Sequence, residues 1–216
     1  IPYFNAPGNK GAWYKTIWEN QKYMLNYHGG LGNDTHFFRS PWYEWPVLGL
    51  PMWYYDGSEL AAGQMECISC FGNPLIWWSG LLATISSIII LVKKAVKRYH
   101  CQDLETGLRL NKEIQTLLFV AIGLAANYLT WVLIPRSTFI YHYFASLPFI
   151  MIFTVYIFRQ LYKRYGKKAV VGIVVFFCLA ALLFALFYPV WSGMEISMNF
   201  SDTFQRWFDS WYFHRQ

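Results

Sequence analysis

The sequence predicts an all-α integral membrane fold: four transmembrane helices with outer interfacial amphipathic helices and a Pro/Trp-rich outer loop. Three observations predict it. Only 14% of the 216 residues are charged and 56% are hydrophobic, whereas a soluble domain carries about a quarter charged residues. Four apolar runs each reach bilayer length, which is about 20 residues for a hydrocarbon layer of roughly 30 Å. The net charge of +6 is concentrated, with residues 93–113 and 159–168 holding eleven of the eighteen Lys and Arg against three acids.

The first run extends from Pro74 to Val92 and ends in Lys93-Lys94-Ala95-Val96-Lys97-Arg98. The second is Ile114 to Ile134, closed by Pro135-Arg136. The third runs from Ser137 to about Phe158 and ends at Arg159, Lys163 and Arg164. The fourth, Ala169 to Pro189, follows Lys167-Lys168. Each must be helical, because an open segment in lipid has to satisfy its own backbone polar groups. Cytoplasmic loops carry the Lys/Arg excess, so both basic loops share the inner face only if the two ends of the chain lie outside. Outside the two basic loops, seven bases meet nine acids, so no basic groove for nucleic acid is implied.

Three parts follow: an extracytoplasmic segment 1–73, a four-helix bundle 74–189 and an extracytoplasmic C-terminal segment 190–216. The chain opens on Ile1-Pro2-Tyr3-Phe4 without Met, as expected of a piece cut from a longer protein. From Ala12 to His28, Trp13, Ile17, Met24 and Leu25 recur at helical spacing beside Tyr14 and Trp18, which predicts an interfacial helix. Gly29-Gly30-Leu31-Gly32 should stop it. Near the other end, Phe204, Trp207, Phe208 and Trp211 follow i, i+3, i+4, i+7, with Asp202, Arg206 and Asp209 on other faces, which predicts a second amphipathic helix.

Between these ends lies the run from His36 to Tyr55, which includes Arg39-Ser40-Pro41-Trp42-Tyr43-Glu44-Trp45-Pro46 and Trp53-Tyr54-Tyr55. Three prolines in eleven residues, Pro41, Pro46 and Pro51, preclude a long regular helix. Its aromatic rings, with His36, Arg39 and Glu44, could line a pocket for a sugar or a lipid headgroup, since aromatic faces suit sugar C–H surfaces and Arg suits phosphate. An aromatic belt at the membrane interface accounts for the same residues equally well.

The sequence here resembles the protein O-mannosyltransferases, in particular the C-terminal four-transmembrane part of bacterial members. The blocks that carry the likeness are Ser40-Pro41-Trp42-Tyr43-Glu44-Trp45-Pro46 with Trp53-Tyr54-Tyr55, Gly72-Asn73-Pro74-Leu75-Ile76-Trp77-Trp78, Arg136-Ser137-Thr138-Phe139-Ile140-Tyr141-His142-Tyr143-Phe144 with Leu147-Pro148-Phe149, and Tyr188-Pro189-Val190-Trp191-Ser192-Gly193. The resemblance implies an enzyme that moves mannose from a polyprenyl-phosphate-mannose donor to Ser or Thr of secreted polypeptides. No cofactor and no metal-ligating residue is expected within residues 1–216. It implies an N-terminal half of seven further spans, whose first outer loop carries the catalytic Asp-Glu pair. No catalytic residue is then expected within residues 1–216, and the piece alone is expected to be inactive. The membrane would be the plasma membrane, or that of the endoplasmic reticulum in a eukaryotic host. Eukaryotic members insert a folded module before the segment matching 36–55; its absence here favours the bacterial type.

Donor or acceptor contacts are expected from Arg136, His142, Arg39, His36, Glu44, Trp42 and Trp45. Arg136 sits at the turn between spans two and three, at the depth of a lipid phosphate. It could hold the donor phosphate and stabilise the charge that develops as it leaves, or simply reach native headgroups. His142 lies in the outer third of span three, with Thr138 and Ser146 at i−4 and i+4 on one helical face. The other reading of His142 is a neutral hydrogen bond to Asn127, and Pro148 is expected to kink the helix below it. Glu44 is assigned to binding, since the resemblance puts the base elsewhere.

Cys67-x-x-Cys70 leaves a disulfide open, and lacks the further Cys or His a zinc site needs. Cys101 and Cys178 are expected to be inert. Asn33-Asp34-Thr35 and Asn199-Phe200-Ser201 match the glycosylation acceptor pattern. Two alternatives remain: a membrane glycosyltransferase using another sugar or a lipid acceptor, and a non-catalytic anchor or transporter piece. Polar character gathered at the outer mouth, rather than at mid-membrane, disfavours a transporter.

Overall fold

In the computed structural model the described residues are 13–30, 36–58, 60–100, 112–134 and 136–214. Asn33-Asp34-Thr35, Cys101 and Pro135 lie outside them. The chain divides into two units, residues 1–37 with 134–137, and residues 38–133 with 138–216.

The smaller unit contains α1 (Trp13–Gly30), within two residues of the helix expected from the apolar spacing. Thr16 is buried, whereas Ile17, Met24 and Leu25 stay exposed. Tyr23 and Tyr27, one turn apart, stack with centroids 6.3 Å apart, and the Lys22 ammonium lies 5.5 Å from the Trp18 ring. The helix leaves an apolar stripe uncovered within its own unit.

The larger unit is built on four long helices: α2 (Pro74–His100), α3 (Lys112–Tyr128), α4 (Leu147–Tyr165) and α5 (Lys167–Ser192). With their flanking 3-10 turns they give four segments able to cross a membrane, 22 to 26 residues long, or about 33–39 Å at ~1.5 Å per residue. Helix α4 is central, packing on α2, α3 and α5. Phe153 of α4 is fully buried, with Ile150 and Tyr156 one turn to either side and Ile114, Leu117 and Val120 of α3 in the same core. Glycine permits the close approaches: a Cβ on Gly80 would come 2.6 Å from Ile150 Cγ2, and one on Gly123 would collide with the Phe149 ring. Close packing at small residues is the usual way helices associate in lipid. Outward-facing Leu82, Phe119, Val155, Val171 and Leu182 are each at least 60% exposed, as lipid-facing side chains must be.

The basic ends of the helices lie together. Glu113 of α3 accepts Lys94 Nζ of α2 at 2.6 Å, Tyr156 OH of α4 at 3.0 Å and Gln160 Nε2 of α4 at 2.9 Å. At the opposite end, Asn73 starts α2. Its Oδ1 accepts the Leu75 N–H at 3.1 Å and its Nδ2 donates to the Ala180 carbonyl of α5 at 2.9 Å. Pro74 follows at the first helical position, where no N–H is needed.

Several sequence expectations change in detail. Span two is α3 continued by a 3-10 turn, Leu129–Leu133. Span three opens with a 3-10 turn, Ile140–Ser146, before α4. Pro148 therefore stands in the first turn of α4, where it is tolerated, and kinks nothing. Helix α5 runs through Pro189 to Ser192 and stops at Gly193, whose φ of 73° forms a left-handed cap.

The expected C-terminal amphipathic helix is not formed. Helical turns cover only Met198–Phe200 and Ser201–Gln205, and the chain leaves them at Arg206, with ψ of 80°. The helical spacing of Phe204, Trp207, Phe208 and Trp211 is overridden by tertiary packing. Trp211 is fully buried, stacking on Trp207 at 5.9 Å and packing edge-to-face on Phe187 at 5.8 Å.

Short strands, which the sequence reading did not anticipate, cover this end of the bundle. β1 (Met52–Asp56) pairs antiparallel with β3 (Cys67–Cys70), with an irregularity at Tyr54 between the pairs Trp53–Ser69 and Tyr55–Ile68. β2 (Gln64–Met65) pairs with β4 (Ile196–Ser197), which ties the C-terminal segment to the middle of the chain. Cys67 and Cys70 are both free thiols. Positions three apart in a strand face opposite sides and lie about 10 Å apart, too far to bridge.

Candidate functional site

The Pro/Trp-rich loop has little regular structure, yet much of it is buried, so its backbone carbonyls need donors. Side chains supply them from distant elements. Trp77 Nε1 of α2 donates to the Trp45 carbonyl at 2.7 Å, and Trp78 Nε1 donates to Val47 at 3.1 Å. Tyr128 OH of α3 donates to Trp42 at 2.8 Å. Thr138 Oγ1 donates to Ser40 at 2.8 Å, and the Ser40 N–H returns a bond to the Thr138 carbonyl at 2.8 Å. From the C-terminal segment, Ser210 Oγ reaches the Gly49 carbonyl at 2.6 Å and Trp211 Nε1 reaches Leu48 at 2.8 Å. Indole carries a donor and no acceptor, so a Trp can dock on a carbonyl and fill apolar space at once.

Within this loop Trp45 is the pillar. It is fully buried, opens a 3-10 turn (Trp45–Val47) capped by Glu44 and Leu48, and donates Nε1 toward the carbonyl and hydroxyl of Ser40, both at 3.1 Å. Its ring stacks on His142 at 5.9 Å and packs edge-to-face on Trp131 at 5.7 Å. A ring with no exposed face has none to offer a sugar, so the expectation of direct contact by Trp45 is replaced by an internal role. Trp42 is half-buried against Tyr128 at 5.8 Å and keeps part of its surface open.

Arg39 and Glu44 are the charges this loop presents. Arg39 is exposed, and Glu44 is half-buried. Neither belongs to an ion pair among the described residues. Burial raises the Glu44 carboxyl above its ordinary value. The backbone of Glu44 is fixed by its carbonyl, which accepts from Val47 at 3.2 Å and Gly49 at 3.0 Å. A Cβ on Gly49 would lie 2.9 Å from Glu44 Cβ, so glycine makes room for the carboxylate stem.

His142 is held in an aromatic enclosure. The ring centroids of Trp131 and Tyr141 lie 4.2 and 4.4 Å from its own, and Nδ1 meets the Phe139 backbone, 3.1 Å from N and 2.9 Å from O. The expected helical face with Thr138 and Ser146 does not form, because Thr138 precedes the 3-10 turn and bonds to Ser40. Nor does Asn127 partner His142; its amide donates to Gly123 within α3 at 2.9 Å.

The larger unit thus brings Arg39, Trp42, Glu44, Trp45 and His142 onto one framework. Arg136 and His36 belong to the smaller unit, where Arg136 is half-buried and His36 exposed. Beside the framework, an apolar cavity of about 240 Å³ opens between α2 and the start of α4, bounded by Ile76, Trp77, Tyr143, Phe144 and Met151. Among the described residues no group of three or more His, Cys, Asp or Glu could hold a metal. The donors that build the framework are Trp77, Trp78, Tyr128, Thr138, Ser210 and Trp211. The sequence reading gives Trp77, Trp78, Thr138 and Trp211 other roles and does not single out Tyr128 or Ser210, because a donor's distant carbonyl partner leaves no local pattern.

Comparison with known proteins agrees with this fold. The family model for the C-terminal four TMM region of protein-O-mannosyltransferase matches residues 13–211. Dolichyl-phosphate-mannose–protein mannosyltransferase 1 of Candida albicans is 29% identical over 192 residues, covering 82% of this chain and 20% of that protein. Protein O-mannosyl-transferase 2 of Danio rerio is 26% identical over 163 residues, covering 69% of this chain and 19% of that protein. The fold matches a chain of the S. cerevisiae protein O-mannosyltransferase Pmt1–Pmt2 complex bound to the sugar donor, with a TM-score of 0.70 and 18% identity, over 94% of this chain and 27% of that one. The chain therefore spans about a fifth of these curated relatives.

Proposed function

Because the chain belongs to the protein-O-mannosyltransferase family, as its C-terminal four-span region, we propose that it is the membrane module of an enzyme that transfers mannose from a polyprenyl-phosphate donor to Ser or Thr of secreted polypeptides. The observation that carries this reading is a membrane-end loop, clamped by donors from two helices, from Thr138 ahead of the third span and from the C-terminal tail, that presents the unpaired charges of Arg39 and Glu44. A site built on a fixed frame needs little reorganisation when a substrate arrives.

Arg136, in the short connection between spans two and three, is suited to the donor phosphate, where a fixed cation would stabilise the leaving group. Arg39, Glu44, Trp42 and His36 are suited to contact the sugar or the acceptor peptide. His142, enclosed by Trp45, Trp131 and Tyr141, is suited to set the position of the loop. The apolar cavity by Trp77 and Tyr143 has the character to accept isoprenoid units. The proton of the acceptor hydroxyl needs a carboxylate base, which we assign to the Asp-Glu pair of an N-terminal half. This division leaves residues 1–216 inactive alone.

The clustered cations at the Lys94–Glu113 and Arg164–Lys167 end support a cytoplasmic placement of that end, with the clamped loop, α1 and the C-terminal segment facing outward. The exposed apolar stripe of α1 suits a helix lying in the interface. The membrane would be the plasma membrane in a bacterial host and that of the endoplasmic reticulum in a eukaryotic one.

The test is transfer from purified polyprenyl-phosphate sugars to a Ser/Thr peptide by the full-length protein, read by mass spectrometry. Mannosylated peptide from the mannose donor supports the reading. Transfer of another sugar, modification of lipid alone, or no transfer refutes it.

A further inference from the structure

At the basic end of the bundle, far along α4 and α5 from the clamped loop, a second cleft of about 360 Å³ lies between Phe158, Leu161, Gly172 and Phe176, with Tyr165 and Lys168 at its rim. Its lining is almost wholly apolar. Water does not fill such a space, because it would find too few polar partners. The back wall is rigid: Phe158 meets Phe176 edge-to-face at 5.2 Å and Phe177 at 6.2 Å.

Two features of the chain are unexplained by its own packing. Gly172 sits in the interior of α5, where glycine is less favourable than alanine, yet a Cβ there would meet nothing within 4 Å. The fold of this chain does not demand the glycine, and the room it leaves opens into the cleft. Residues 159–168 also carry five cations, Arg159, Lys163, Arg164, Lys167 and Lys168, and no acid. None of them joins an ion pair among the described residues; Arg164 only covers the Tyr165 ring at 5.3 Å. Lys94, on α2 at the same end, has a carboxylate of its own in Glu113. The charge at the α4–α5 end is therefore left for a group from outside.

We propose that this cleft binds one anionic phospholipid, an acyl chain entering between Phe158 and Phe176 over Gly172 and the phosphate resting on Lys168. An apolar slot that ends at the uncompensated ammonium group of Lys168, on a segment carrying four further cations, matches that ligand in both its parts. The site is separate from the clamped loop and does not depend on the reaction assigned above.

Native mass spectrometry of the delipidated full-length protein tests it, with phosphatidylglycerol and phosphatidylcholine of identical chains as probes. We expect one phosphatidylglycerol retained per chain, at least tenfold in preference to phosphatidylcholine. Lys168→Glu, a change at an exposed position, and Gly172→Phe, which fills the cleft, should each lower that retention at least tenfold. Gly172→Ala should leave it unchanged and keep Tm. Equal retention of both lipids, wild-type retention by Lys168→Glu or by folded Gly172→Phe, or no lipid retained because protein occupies the cleft, would each overturn the proposal.

Discussion

Trp211 Nε1 donates to the carbonyl of Leu48 at 2.8 Å, and Leu48, with φ of 58°, is the one non-glycine residue among those described that takes the left-handed conformation. That conformation costs roughly 1–2 kcal/mol in an L-residue. The loop holds it because both side chains are fully buried and the carbonyl has found its donor. The tail of the chain thereby fixes the turn that follows Glu44.

Trp211→Phe keeps most of the ring and removes the donor. It should destabilise the protein by about 1–3 kcal/mol, the cost of an unpaired buried carbonyl, and hasten limited proteolysis of the segment 40–50. A thermal melt in detergent together with mapped cleavage sites checks both. Wild-type Tm and cleavage would assign the buried Trp211 to volume filling alone.

Asn73 does two jobs, capping α2 and reaching Ala180 of α5. Asn73→Ala should cost about 1–2 kcal/mol in melting experiments. Asn73→Asp keeps the capping oxygen but loses the donor, so it should fall between the two. An Asp variant no better than Ala would show that the link to α5 dominates.

Glu44 should show opposite effects on stability and activity. Burial raises its folded-state pKa, so the fold binds its proton more tightly than the unfolded chain does. Stability at this site then falls as pH rises from the ordinary carboxylate value through the raised one. Glu44→Gln removes that loss: its Tm should equal wild type near about pH 4 and exceed it near pH 7, while transfer activity drops. Parallel melts and transfer assays decide. A Gln variant less stable than wild type at neutral pH would contradict the desolvation argument.

Cys67 and Cys70 should remain separate thiols. Burial pushes the Cys67 thiol up to about 12, so almost none is thiolate at pH 8 and it should resist maleimide until the protein is denatured. Both cysteines should label after denaturation without reductant. A native mass lower by two hydrogens, with a cross-linked 67–70 peptide, would contradict the strand geometry.

The spans were legible because lipid imposes a simple rule, and runs such as Ala169 to Pro189 meet it with no help from tertiary contacts. Helix α1 was legible for a similar local reason. The C-terminal segment departs from its pattern because Phe204, Trp207, Phe208 and Trp211 have helical spacing, while Trp207 and Trp211 are held by Phe187 and by a loop carbonyl 163 residues away. Strand β1 stayed hidden because Trp53-Tyr54-Tyr55 suits a membrane interface as well as a pleated surface. Trp45 reads as a binding ring in the sequence because sequence reports the ring and not its burial. Arg39, Trp42 and Glu44 stand out in the sequence by charge, ring type and their place in the Pro/Trp-rich run, and the fold sets them on one framework.

We propose that this region helps to hold a polyprenyl-phosphate-mannose donor. The most direct test is kcat/KM for that donor in the full-length Arg136→Ala protein. We expect a fall of about 100-fold, the scale for losing one fixed donor to a developing oxyanion, with Tm unchanged and partial recovery in Arg136→Lys. Undiminished kcat/KM in a folded Arg136→Ala protein would contradict it.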